Sequence, residues 1–148
     1  IRLSGDVLTE MTAVAQEASV LLIFEPHVES VLESPTETLE FLQRHPDLKI
    51  ALDYAHFVTQ GYQPADVHPL VPYTGHFHLR QGANKQLQAR WEDGEINVVE
   101  VVGRLQEVGY EGYLTLEYEH EPGWMDMDKC DVLTETIKMR DTVRPLLC

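Results

Sequence analysis

The sequence predicts an α/β fold in which parallel strands alternate with helices. Three observations carry that expectation. Four short segments, at residues 19–25, 48–53, 74–80 and 112–119, have the length and pattern of strands, the first two as apolar runs and the third with polar and apolar residues alternating. The segments between and after them read as helices, two of which open on recognisable capping residues, Ser34 and Asn97. Strands separated by helical connections pair in parallel through right-handed crossovers.

The elements follow in order. Residues 6–17 place Val7, Leu8, Met11, Val14 and Ala15 at helical spacing. SVLLIFE, 19–25, is continuous and apolar, as expected for a strand buried on both faces. Ser34-Pro35-Thr36-Glu37 forms a capping box with proline at the first helical position, and the helix runs to about Arg44, with Leu39 and Leu42 inward. His45-Pro46 ends it. LKIALD, 48–53, is the second strand. Gly61 and Pro64 mark turns, and a short helix over 65–71 is expected despite Pro69. TGHFHLR, 74–80, is the third strand, and the polar stretch 81–95, with Gly82 and Asp93-Gly94, reads as a long loop. Asn97 then opens a helix with Val98, Val101, Val102, Leu105 and Val108 inward, stopped by Gly109. GYLTLEYE, 112–119, is the fourth strand, and a last helix spans about Asp131 to Arg144 before Pro145. There is no internal repeat or low-complexity linker, so residues 1–148 read as a single (β/α) domain.

Composition narrows the functional classes. The 148 residues are 43% apolar, enough for one packed core. The formal charge of −14 argues against general nucleic-acid binding, which needs a positive field, and suits a protein that holds cations. No window approaches about eighteen consecutive apolar residues, so no membrane span is expected. The start, IRLSGDVLTEM, lacks the apolar segment of a secretory leader and an initiator Met, which suggests a processed or truncated chain. The two cysteines, Cys130 and Cys148, form no CxxC, and Cys148 is terminal and expected to be mobile; a cytoplasmic setting is the default.

In parallel α/β folds ligands gather at the carboxyl ends of strands. Each predicted strand delivers an ionisable group there: Glu25 in FEPH, Asp53 in LDYAH, His78 and Arg80 in GHFHLRQ, Glu117 and Glu119 in LEYEH. One such residue is ordinarily a solvated rim group or a cap partner, and His76 or His78 alone reads as a core or surface histidine. Four strands ending alike are harder to dismiss. Three carboxylates and a histidine brought together would repel unless a divalent cation such as Mn²⁺, Mg²⁺, Co²⁺ or Zn²⁺ joined them. Strand alternation puts His76, His78 and Arg80 on one face, which must reach water or a polar pocket. Asp53 and His56 can point to the same place if the chain turns after the strand. His27 and Lys85 are further candidates for substrate contact, and Lys85 reads equally as a solvated lysine. Trp91 and Trp124 fall in loops, as lids or as anchors packed on the domain.

FEPH, LDYAHF, GHFHLRQ and GYEGYLTLEYE together resemble the second half of the xylose isomerase-like TIM barrels, a superfamily of sugar isomerases, ketose 3-epimerases, inosose dehydratases and endonuclease IV. The resemblance covers nearly the whole chain and rests on the order Glu, Asp-x-x-His, His-x-His, Glu. It implies a parallel half-barrel corresponding to strands five to eight, with metal ligands at Glu25, Asp53, His78 and Glu117 and a substrate-binding histidine at His56. The epimerase branch carries an arginine six residues after the metal histidine; Asn84 stands there, with Lys85 next and Arg80 earlier. The extra histidine motif of endonuclease IV is absent. A whole barrel takes roughly 250 residues, so four strands leave two unpaired edges and, by expectation, an uncovered apolar face. Association of two or more copies, closing a barrel or swapping elements, would cover them.

The implied activity is metal-assisted proton transfer beside a carbonyl of a ketose or polyol. Glu25 and Glu117 would take and return the proton, with His56 and Arg80 on hydroxyls. The alternatives are a catalytically inert barrel fragment serving as an assembly module, and a lyase of the inosose dehydratase kind on the same site.

Overall fold

The computed structural model describes residues 2–125 and 127–147, so the expectation for Cys148 lies outside the described residues. The chain runs α1 (Arg2–Glu17), β1 (Ile23–Phe24), α2 (Pro35–Arg44), β2 (Lys49–Asp53), α3 (Ala55–Val58), α4 (Pro64–Val67), β3 (Thr74–Leu79), α5 (Val98–Glu107), β4 (Leu114–Leu116) and α6 (Val132–Val143). The four strands form one parallel sheet in the order β1-β2-β3-β4, the topology of a (β/α) half-barrel.

Local chemistry starts and stops the helices where it should. Ser34 Oγ accepts from Glu37 N at 3.5 Å, and Asn97 Oδ1 accepts from Glu100 N at 3.3 Å. Asp131 caps α6 in the same way, its Oδ1 accepting from Thr134 N at 3.5 Å. Gly109 follows α5 with φ of 69°, the left-handed conformation that costs glycine least. The segment after Pro64 is α-helical only to Val67 and continues as a 3₁₀ turn over His68–Tyr73. Pro69 and Pro72 have no N–H to donate, which breaks the α pattern expected over 65–71.

Alternation along β2 and β3 divides the sheet into two unlike faces. Ile50, Leu52, Phe77 and Leu79 point to the helices and are buried with Phe41, Leu42, Phe57, Val101 and Leu105 in the core. The other face carries Lys49, Ala51 and Asp53 from β2, His76 and His78 from β3, and Thr115 from β4, through register pairs such as Asp53–His78 and Ala51–His76. This corrects the expectation of an uncovered apolar face: the face without helices is mostly polar, because the apolar residues occupy the alternate positions. Solvent-exposed apolar side chains lie instead along the flanks, at Val7, Met11 and Val14 on α1 and at Leu133 and Ile137 on α6.

The outer strands are shorter than expected. Residues 19–25 contribute Ile23–Phe24 to the ladder, and 112–119 contribute Leu114–Leu116. Among the described residues each pairs with a neighbouring strand on one side, as the edge of the sheet. Leu21, expected to be buried, is 62% exposed for the same reason. Val108, expected inward, follows the last turn of α5 as its C-cap and is exposed. A bulge between Ile50 and Ala51 sets Gly75 against β1 and β2, where a Cβ would come within 2.7 Å of Ile23 Cγ2 and 2.9 Å of Lys49 Cβ. Gly75→Val should therefore destabilise the protein by about 1–3 kcal/mol, read from urea unfolding.

Candidate active site

Helix α3, which no sequence signal announced, is built from the residue that ends β2. Asp53 Oδ1 accepts from Ala55 N at 2.8 Å, turning the chain at once and burying Tyr54 to Val58. That turn brings His56 back over Asp53, with Nε2 3.8 Å from Asp53 Oδ2 and 3.7 Å from Glu25 Oε1. From β3, Arg80 reaches the same carboxylate. Its Nε and Nη2 both donate to Asp53 Oδ2 at 2.8 Å, and Nη2 stands 3.3 Å from Glu117 Oε2 and from His56 Nε2.

His78, one alternation earlier, lies between two carboxylates from the outer segments. Its Nδ1 is 2.9 Å from Glu25 Oε1 and 3.0 Å from Glu117 Oε2. Contacts with Glu117 and then Glu25 outweigh burial and raise the ring from 6.5 to about 10, so a proton holds the two acids together. Burial pushes His56 the other way, against the pull of Asp53, and its ring is neutral. Burial also disfavours the charge on Arg80, but Asp53 and Glu117 more than offset it and its pKa rises.

Unfolded, His78 titrates near 6.5, so its stabilising effect is whole below that pH and disappears as pH rises through about 10. His56, depressed, matters only on the acid side. Thermal melting of metal-free protein should shift downward between pH 7 and 10, and His78→Gln should flatten that slope.

The geometry divides the sequence-derived candidates. Candidate ligand atoms fall into two overlapping triads that share Glu25: Glu25, His78 and Glu117, and Glu25, Asp53 and His56, each with its atoms within 4.8 Å of one another. The first suits a divalent cation. It combines two carboxylates with an imidazole, and His78 Nδ1 stands 2.9 Å and 3.0 Å from the two carboxylate oxygens. Asp53 stands one step back, with one oxygen taken by Ala55 N and the other by Arg80. His27 is close: its ring centroid is 3.9 Å from that of His56 and 5.7 Å from Trp124, nearly parallel to the indole. His76 is turned to Thr115, with Nε2 2.8 Å from Oγ1, and does not line the cleft. Lys85 is exposed and lies outside it too.

The cleft, about 340 Å³, is walled by Glu25, His27, His56, Arg80, Glu117 and Trp124, and its rim by Glu119 and Glu121. The sequence reading missed Glu121, which continues the alternation Glu117-Glu119 beyond the strand. It also missed Gln88, fully buried in the 81–95 loop. Gln88 Nε2 donates to the carbonyls of Glu119 and Met127, and its Oε1 accepts from Glu119 N at 2.8 Å. The loop after β3 thus holds the wall that follows β4. Gln88→Leu removes the partners of one buried and two part-buried backbone groups and should cost about 1–3 kcal/mol, measured by denaturant unfolding.

Four parallel strands that each bring an ionisable residue to one rim define an α/β half-barrel with an acid–histidine centre. The chain belongs to the xylose isomerase-like TIM barrel family, whose model matches residues 1–139. It is similar to "Putative hydroxypyruvate isomerase" of Danio rerio, 30% identical over 91 residues, covering 60% of this chain and 32% of that protein. A xylose isomerase-like TIM barrel protein from Mycobacterium smegmatis, solved in complex with magnesium, overlays at a TM-score of 0.75 and 13% identity over 99% of this chain and 51% of that one. The D-psicose 3-epimerase of Clostridium cellulolyticum H10, solved with D-tagatose, overlays at 0.70 and 22% identity, over 97% and 55%. The chain thus spans about half the length of these solved structures and a third of the curated relative. No helix among the described residues is long and apolar enough to cross a membrane.

Proposed function

We propose that this chain is a metal-dependent isomerase or epimerase that moves a proton next to the carbonyl of a ketose or polyol. The observation that carries this is the meeting of Glu25, His78 and Glu117 at one point, beside a neutral His56 and a buried Arg80. Glu25, His78 and Glu117 would hold the cation, with Asp53 as a fourth ligand if Arg80 shares it. A bound divalent ion would supply Lewis-acid polarisation of the substrate carbonyl.

The rest is the work of the side chains. Glu25 and Glu117 arrive from opposite edges of the sheet and flank His78, so one carboxylate can take a proton from the substrate carbon and the other return it. Arg80 and His56 line the cleft and would hold substrate oxygens. His27 donates Nδ1–H to the Val28 carbonyl at 2.7 Å, which leaves Nε2 as an acceptor for a hydroxyl. The same groups would serve a lyase, and product analysis separates the two.

The test is calorimetric titration with Mn²⁺, followed by NMR of ketoses in D₂O with the loaded protein. Metal binding with deuterium entering beside the carbonyl is the expected result. Metal binding without exchange on any ketose would overturn the isomerase reading and leave the lyase and the inert assembly module.

We further propose that a second copy covers the flanks. The outer edges of β1 and β4 are unpaired among the described residues, and apolar side chains of α1 and α6 lie beside them. Sedimentation at micromolar concentration should give a dimer or higher species; a stable monomer would refute the association.

A further inference from the structure

We propose that the segment after β4 is a hinged cover over the cleft, with Gln88 as its fixed neck and Trp124 as the latch that closes it on His27. The inference rests on the proton-transfer reading only for what the cover protects, and its test needs no turnover.

Gln88 is fully buried. Its Nε2 donates to the carbonyl oxygens of Glu119 at 2.8 Å and Met127 at 2.9 Å, and its Oε1 accepts from Glu119 N at 2.8 Å. One side-chain amide therefore pins both ends of the segment, the arrangement of an Ω-loop. Past the first of these ends the chain is exposed from His120 to Gly123 and turns inward at Trp124. The indole lies 5.7 Å from the His27 ring, inclined by 17°, and both line the cleft. His27 follows β1 and Trp124 follows β4, the two edge strands, so the stack spans the mouth. The His27 ring is also 3.9 Å from that of His56, so the latch rests on the histidine assigned to substrate.

An aromatic pair of this kind favours contact by a factor of roughly two to ten, which holds the cover shut without locking it. Gly123 and Met125, on either side of Trp124, have φ of 84° and 45°. Left-handed backbone disfavours the Met125 side chain, and swinging outward relieves that strain. Opening admits substrate. Closing keeps water from the charge that develops at the carbonyl.

The test replaces both indoles with fluorotryptophan, and Trp91→Phe assigns the signals. Relaxation dispersion in fluorine NMR should show microsecond-to-millisecond exchange for Trp124 and none for Trp91, whose backbone N donates to the buried Glu135. A Cβ at Gly123 meets nothing within 4 Å, so Gly123→Ala acts through the backbone alone. It should raise the open fraction about fivefold or more. Modification of His27 by diethyl pyrocarbonate, read by mass spectrometry, should rise by the same factor, and that of His45 should not. Gly109→Ala, equally uncrowded and with φ of 69°, lies after α5 and should leave both readings unchanged. A Trp124 signal without exchange in the unaltered protein overturns the cover. So does exchange that leaves His27 no more reactive in Gly123→Ala, or an equal response to Gly109→Ala. Ketose proton exchange measured alongside judges the other reading: its absence, with Trp124 moving and His27 uncovered, removes proton transfer and leaves the cover.

Discussion

Glu117→Gln, saturated with Mn²⁺, is expected to exchange the ketose proton about 10³-fold more slowly than the unaltered protein, within the range found for loss of one acid–base group. The amide keeps the shape of the carboxylate and can still accept from Arg80 Nη2, so the side chain stays in place. It cannot take up a proton at neutral pH. Metal affinity falls as well, because Glu117 supplies one of the three converging atoms, and saturation must be verified for the variant. The fall should therefore appear in the rate at saturating substrate rather than in KM alone. Melting within a few degrees of the unaltered protein would show that the loss is chemical and not structural. Full exchange in Glu117→Gln would remove Glu117 from the chemistry and leave Glu25 without a counterpart.

The sequence made this residue visible because strand ends are readable. The core of β2 is a continuous apolar run and β3 alternates polar with apolar residues, and the ionisable residues that end these segments reach the carboxyl rim. The caps at Ser34 and Asn97 are equally plain, since an accepting side chain three residues before the backbone N–H that donates to it is a local pattern. What stayed hidden depends on distance along the chain. The Arg80–Asp53 pair spans 27 residues and follows from the β2–β3 register, which alternation alone does not supply. Helix α3 lacks any periodic signature because it is a single turn seeded by the Asp53 side chain. Gln88 reads as one more polar loop residue until the segment after β4 is folded against it.

Arg80→Met should be the most damaging substitution to stability, at about 3–5 kcal/mol, the cost of stripping one partner from a buried ion pair. Arg80 and Asp53 are 3% and 1% exposed, so water cannot replace the lost donors. Asp53 Oδ2 would lose both of its hydrogen bonds, and Glu117 its nearest fixed cation. For a domain whose whole stability is typically about 5–15 kcal/mol, that is a large fraction. Arg80→Lys should recover only part, since an ammonium cannot reproduce the two N–H groups held on one oxygen. Asp53→Asn combined with Arg80→Met should cost less than the two single changes together, because the double variant leaves no bare buried charge, and the side-chain amide introduced there still offers an oxygen to Ala55 N. If the guanidinium serves as a resident counter-cation for Asp53, Mn²⁺ should raise the melting temperature of Arg80→Met by more than it raises that of the unaltered protein, since the freed carboxylate becomes available as a ligand. Equal Mn²⁺ shifts in both proteins would mean that Asp53 belongs to the architecture of the site and not to its metal.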